Sequence, residues 1–222
     1  VDQVSVIIPC YLLPDKNKEL SGWTLDCVRS FREHCPGVEI VIVDNGSTVD
    51  ECMLRWLADV YLRNSSNLGY ARAANQGMKI ASHDWLVVSN NDTLLLDNWI
   101  ATALAVWDDK TGIVCSHLED HDPHHRAGRQ ELPHEGYFFG ALWLTHRDVV
   151  ERVGYISEEY ELGYYEDKDF CCEVLAAGYE LIKAGWCKHV GNATSGKLPE
   201  LHQMFARNKE RFEEKWKNGR LD

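Results

Sequence analysis

The run "DWLVVSNNDTLLLDNW", residues 84–99, changes character within three positions. Leu86, Val87 and Val88 are continuously apolar, the pattern of a strand buried on both faces. The run then breaks into Asn90, Asn91 and Asp92. Open α/β sheets collect their ligands at the carboxyl ends of the strands, so these three side chains stand where a site is expected. The segments before it repeat the pattern. "VSVIIP" (4–9) is a β-branched strand closed by Pro9, "VEIVIVDNGS" (38–47) a buried strand ending in turn residues, and "YLRN" (61–64) a short strand. Between them "GWTLDCVRSFREHC" (22–35), "DECMLRWLADV" (50–60) and "GYARAANQGMKIA" (69–81) carry helical spacing. This alternation predicts an α/β domain with a mostly parallel central sheet and helices on both faces.

Beyond Asp92 the pattern loosens. "DNWIATALAVWDD" (97–109) reads as a helix capped by Asp97, and "GIVCSHL" (112–118) as a strand. "EDHDPHHRAGRQELPHEG" (119–136) reads as a long polar loop, and loops of that length are usually functional or mobile. Then come a strand in "YFFGALWLTH" (137–146), a helix over residues 166–180 stopped by Gly178, and a strand pair in "ELIKAGWCKHVG" (180–191). The tail, residues 199–222, is a charged amphipathic helix with Leu201, Phe205, Phe212 and Trp216 as its apolar contacts. Either it packs on the domain or it meets a partner or the membrane periphery. Residues 4–198 form one domain, with halves at 4–92 and 93–198.

Composition narrows the function classes. A net charge of -12 weighs against a surface that grips nucleic acid by bulk electrostatics. No apolar stretch approaches the ~20 residues of a membrane helix, and the amino terminus has no signal-peptide pattern. The chain starts at Val1, as a piece of a longer protein would. Eight cysteines without a metal-type CxxC pair predict buried free thiols and a soluble, cytoplasmic chain in a reducing compartment.

Three polar clusters fall at strand ends: "VDNGS" at Asp44, "NND" at Asp92 and "HVGNATSG" after His189. Any one alone is an ordinary turn, because Asp, Asn and Gly favour turns; together at one sheet edge they read as a site. In "YYEDKDF" the carboxylates of Glu166, Asp167 and Asp169 crowd a helix start, where the dipole favours negative charge. Such a carboxylate is expected to stay ionised near neutral pH. His117, His121, His124 and His125 match no standard zinc spacing and lack cysteine partners, so an acceptor-facing loop is the better reading.

In order, "VSVIIPCY", "IVIVDNGS", "NSSNLGYARAANQGM", "WLVVSNND", "GYYEDKDF" and "KHVGNATSG" resemble family 2 of the inverting glycosyltransferases, from about Val4 to Ser195. The nearest look is to rhamnosyltransferase-like members, with Asn-Asn-Asp in place of Asp-x-Asp. The resemblance implies the GT-A fold, with a Rossmann-like nucleotide-binding half followed by an acceptor half. It implies a UDP- or dTDP-sugar donor and Mn²⁺ or Mg²⁺ held by Asp92, with His189 either completing the metal site or contacting the diphosphate. Asn90 would face the ribose, with Asn91 beside it, and Asp44 the base in a pocket walled by Pro9 and Tyr11. Asn67, Gly69 and Arg72 would approach the diphosphate, although Arg72 serves equally as a loop brace. Asp167 would be the general base for a hydroxyl acceptor, most simply a carbohydrate. Glu166 and Asp169 would orient acceptor and loop. From the residues themselves, Trp143 and the tyrosines at 164 and 165 are able to stack on sugar faces, while most of the "YFFGALW" strand reads as core. A glycoside hydrolase and a non-catalytic nucleotide-sugar-binding module are the alternatives. A nucleotidyltransferase would want a glycine-rich loop after the first strand, and "PCYLLPDKNK" has no glycine.

Overall fold

Every residue of strand β1 (Val4–Cys10) is buried because parallel strands flank it on both sides, β2 (Glu39–Asp44) and β4 (Trp85–Ser89). Strand β3 (Val60–Arg63) extends this parallel group beyond β2. These coordinates come from a computed structural model that describes residues 3–14, 19–119, 140–190 and 201–216. The two-residue period of a strand sends alternate side chains to opposite faces. Val6, Ile8 and Cys10 accordingly join the core under helices α1 (Glu19–His34), α2 (Glu51–Leu57) and α4 (Trp99–Ala105). Ile7 joins the opposite core, under α3 (Tyr70–Ile80), α5 (Arg147–Val153), α6 (Glu166–Ala176) and α7 (Leu201–Trp216). Gly77 lets α3 lie directly on β1, since a Cβ there would collide with the Ile7 side chain.

The second half is mixed rather than parallel. Strands β5 (Thr93–Leu95), β6 (Thr111–Glu119), β7 (Leu142–His146) and β8 (Glu180–His189) complete a sheet of order β3-β2-β1-β4-β7-β6-β8-β5. β7 runs antiparallel to both β4 and β6, β8 runs parallel to β6, and β5 pairs antiparallel with β8. The expected strand pair over 180–191 is one strand, bent where the register shifts between Cys115 and His117 of β6. Gly185 sits there at φ +63, pressed against Trp99, a backbone that glycine adopts at no steric cost. Two short elements were not expected, β5 and α5. Helix α4 is capped by Asn98, whose side chain accepts from Ala101 N at 3.1 Å, and not by Asp97.

His117 lies within β6, its ring stacked on Trp186 at 4.8 Å; His121, His124 and His125 lie outside the described residues. The tail packs on the domain: Phe212 and Trp216 are buried in the core shared with α6, while the side chain of Leu201 is outside the described residues. No helix among the described residues is long and apolar enough to cross a membrane. All eight cysteines are free; seven are buried, as expected, and Cys52 is exposed.

Candidate active site

The carboxyl end of β2 and the start of α3 are joined by side-chain amides. Asn45 donates through Nδ2 to Asn67 Oδ1 at 2.9 Å and to Gly69 O at 3.1 Å, and accepts through Oδ1 from Asn64 Nδ2 and Leu68 N, both at 3.0 Å. Asn64 and Gln76 exchange two further bonds at 2.8 and 3.0 Å. Gly46, at φ +86, permits the loops to touch, because a Cβ there would stand 2.6 Å from the Ser66 backbone. Asn45, Asn64 and Gln76 escape sequence reading, since amides in "DNG" and "RNSSN" look like turn residues. Asn67 and Gly69 are thereby placed at the mouth of α3.

Asp44 is fully buried within this corner. Its carboxylate accepts from Ser47 N at 2.8 Å, from Tyr61 Oη at 2.8 Å and from the Arg63 guanidinium. In this state it organises the 44–47 turn. Pro9 is buried opposite Val43, and Tyr11, just beyond β1, is partly exposed. Arg72 pairs with Glu158 at 3.3 Å, the bracing arrangement of the two open from sequence.

The Asn-Asn-Asp triplet divides. Asn91 turns to α1 and donates to Thr24 Oγ1 at 2.8 Å. Asn90 and Asp92 face His189: Asn90 Nδ2 lies 3.1 Å and Asp92 Oδ1 3.0 Å from His189 Nε2. β5 creates this meeting. It begins at Thr93, pairs that residue with His189, and leaves Val190 N donating to Asp92 O at 3.1 Å. Asp92 is 5% exposed. Among the described residues no group of three or more His, Cys, Asp or Glu side chains converges as a complete metal cage. An imidazole nitrogen and a carboxylate oxygen are two protein donors, which suits an ion whose remaining positions go to phosphate oxygens or water.

The carboxylate pair opens α6. Glu166 is 6% exposed, and its Oε2 is buried with no hydrogen-bond partner among the described residues. Burial, and after it the neighbouring Asp167 charge, pushes its pKa from the ordinary 4.5 to about 8. Asp167 is partly exposed and accepts from Lys168 N at 2.8 Å; burial raises its pKa too. For Glu166 desolvation therefore outweighs the helix dipole, the reverse of the expectation that a carboxylate at this helix start stays ionised near neutral pH. Gly140 leaves room for the pair, since a Cβ there would stand 2.7 Å from Asp167 Oδ2. Tyr70, absent from the sequence candidates, links the two ends of the site. Its buried Oη has no hydrogen-bond partner among the described residues, and its pKa is raised by burial and then by the charges of Glu166, Asp167 and Asp92.

This burial predicts a pH dependence of stability. The folded chain keeps a proton on Glu166 that the unfolded chain releases, so stability falls as pH rises from 4.5 through about 8. Glu166→Gln removes the effect. Its urea midpoint should exceed that of the wild type at pH 8 and match it at pH 5; equal midpoints at both values would contradict the buried-acid assignment.

Two acceptor candidates lie in the interior. Asp169 is 1% exposed; its carboxylate accepts from Tyr160 Oη at 3.0 Å, Trp216 Nε1 at 2.7 Å and Lys215 Nζ at 2.8 Å. Trp143 is 2% exposed, its ring 5.6 Å from that of Phe170. Both serve the core in this structure instead of facing an acceptor. Tyr165 is likewise buried, 5.3 and 5.5 Å from Phe205 and Phe212, whereas Tyr164 is partly exposed.

Residues 5–146 match the protein-family model for Glycosyl transferase family 2. The chain belongs to that family. The fold of this family 2 domain is GT-A, as expected. It superposes on a mannosyltransferase from Pyrobaculum calidifontis, solved with GDP-Man and Mn²⁺, with a TM-score of 0.68 at 20% identity over 86% of this chain and 58% of that one. Its TM-score against GalNAc-T7, solved with UDP, GalNAc and Mn²⁺, is 0.73 at 17% identity over 99% and 50% of the two chains. Against S. aureus TarS it is 0.64 at 15% identity over 95% and 43%. A curated relative, the uncharacterized protein y4gI of Sinorhizobium fredii (strain NBRC 101917 / NGR234), is 23% identical over 81% of this chain. The chain spans 24% of that relative's length.

Proposed function

We propose that this family 2 domain is an inverting glycosyltransferase that moves a sugar from a UDP- or dTDP-linked donor to a hydroxyl of a carbohydrate acceptor. The observation that carries this reading is the contact of Asp92 with His189, 3.0 Å apart at the strand ends, in a family 2 domain whose α6 opens on the Glu166–Asp167 pair.

Asp167 takes the proton from the acceptor hydroxyl as its oxygen bonds to the anomeric carbon. The bond from that carbon to the diphosphate oxygen breaks on the opposite face, inverting the configuration. A raised pKa suits Asp167 to this task, because it brings proton affinity closer to working pH. Glu166, carrying the proton of the pair, keeps a second negative charge away from the base. Asp92 and His189 would hold a divalent ion, which supplies charge neutralisation for the leaving diphosphate; an imidazole ligand favours Mn²⁺ over Mg²⁺. Asn90 hydrogen-bonds the ribose, with Asn91 fixing the loop behind it. The α3 mouth at Asn67 and Gly69 meets the diphosphate, and Arg72 leaves Glu158 to join it. Pro9, Tyr11 and the Asp44 turn form the base pocket. The free thiols support a reducing, cytoplasmic location.

Calorimetric titration of UDP, dTDP and GDP, each with Mn²⁺ and with chelator, tests the donor half. One pyrimidine diphosphate is expected to bind with Mn²⁺ and to lose most of its affinity with chelator. Asp92→Ala should bring binding with Mn²⁺ down to the chelator level. Binding of no nucleotide under either condition would overturn the transferase reading.

A further inference from the structure

The segment entering α6 takes left-handed backbone at three non-glycine residues, Leu162 (φ 52), Tyr164 (φ 71) and Tyr165 (φ 74). This conformation is unfavourable for side chains of that size and persists only where the surroundings impose it. Tyr165 is the N-cap residue of α6, directly before Glu166 and Asp167, and no side-chain bond caps the helix there.

The constraint comes from α7. Asn208, 1% exposed, directs Nδ2 at the backbone oxygens of Glu161 (3.1 Å), Gly163 (2.9 Å) and Tyr164 (3.3 Å). Its two amide hydrogens thus serve three carbonyls that the left-handed turns have turned inward. The residue before it, Arg207, pairs with Glu161 at 2.9 Å, and about one turn after it Arg211 donates to Glu159 O. Further along, Lys215 and Trp216 hold Asp169 in the first turn of α6. α7 therefore grips the chain on both sides of the Glu166–Asp167 pair, while none of its own described contacts is to that pair's carboxylates.

We infer that α7 is the clamp that sets the Glu166–Asp167 pair in place, with Asn208 as the positioning residue for the general base. The inference rests on the transferase reading for the base, but the clamp itself is a mechanical claim that can be read without turnover.

The test uses the whole chain with Asn208→Ala, Asn208→Asp and Asn208→Gln. Asp keeps the shape of Asn and loses both donors; Gln keeps the donors. Amide hydrogen exchange in residues 159–168 should rise about tenfold or more in the Ala and Asp variants, with β1 and β2 unchanged. With the donor identified by titration, kcat for transfer should fall about 10- to 100-fold in the same two variants while donor KM stays within about twofold. Gln should restore much of both. Faster exchange with unchanged kcat would overturn the positioning role, and unchanged exchange would overturn the clamp. A parallel loss of donor binding would mean general loosening instead. Absence of turnover in the wild type would fail the transferase reading and the base role with it, leaving exchange to decide the clamp. Should Asn208→Ala not fold, Arg207→Ala tests the same segment from its exposed end.

Discussion

Asp167→Asn is expected to lower the transfer rate by about 10²–10⁴-fold, the range over which positioned acid–base groups act, and to leave nucleotide affinity within about twofold. The side chain is isosteric, and its remaining carbonyl oxygen still accepts from Lys168 N, so the first turn of α6 is preserved. What disappears is the proton acceptor. Glu166 reports on the same change from the other side. The Asp167 charge is the second cause of its raised pKa, so neutralising that charge should bring the Glu166 pKa back toward ordinary values. Rates measured as sugar transfer, beside calorimetric affinities for the diphosphate, separate this variant from Asp92→Ala, which should lose affinity. A fully active Asp167→Asn chain would move the base elsewhere.

Trp216→Ala is expected to be strongly destabilising, by about 3–5 kcal/mol as for other buried Trp truncations. The ring is buried against α6, and its Nε1 donates to a carboxylate that water cannot reach, Asp169. Trp216→Phe keeps most of the apolar contact and removes that donor, so its cost should be smaller, about 1.5–3 kcal/mol for a hydrogen bond to a charged group. Ending the chain before Leu201 removes Lys215 as well and leaves Asp169 with Tyr160 Oη alone among these partners. Urea midpoints order the three variants. Equal stability of the truncated and full chains would show that α7 does not contribute to the core.

The parallel half was legible because β-branched runs of five to seven residues and helices with apolar faces leave a strong periodic signal. β5, at three residues, is too short to leave one; α5 is as long as α2 and α4, but its only apolar residues are valines, which favour strands. In the site, the polar clusters at Asp44, Asp92 and His189 were visible as interruptions of apolar runs. That Asp92 and His189 meet came only from the family resemblance and not from the residues themselves, because the contact depends on a strand pairing across most of the domain. Glu166, Asp167 and Asp169 show the limit most clearly. All three satisfy the same helix-start preference, yet on a helix residues two apart point in opposite directions. Asp167 is left beside Gly140, whereas Asp169 turns to Lys215 and Trp216, partners more than forty residues away. Tyr70 was hidden for a related reason. The first residue of an alanine-rich helix says nothing of the carboxylates that tertiary structure brings to its hydroxyl.

The antiparallel pairing of β6 with β7, Val114 opposite Leu144 and Cys115 opposite Trp143, brings the start of β7 back to α6. Gly140, two residues before that strand, abuts Asp167 so closely that a Cβ there would stand 2.7 Å from its Oδ2. Position 140 is therefore closed to every other residue type unless that carboxylate moves, and the way into β7 is written into the sequence by the neighbour it must not displace.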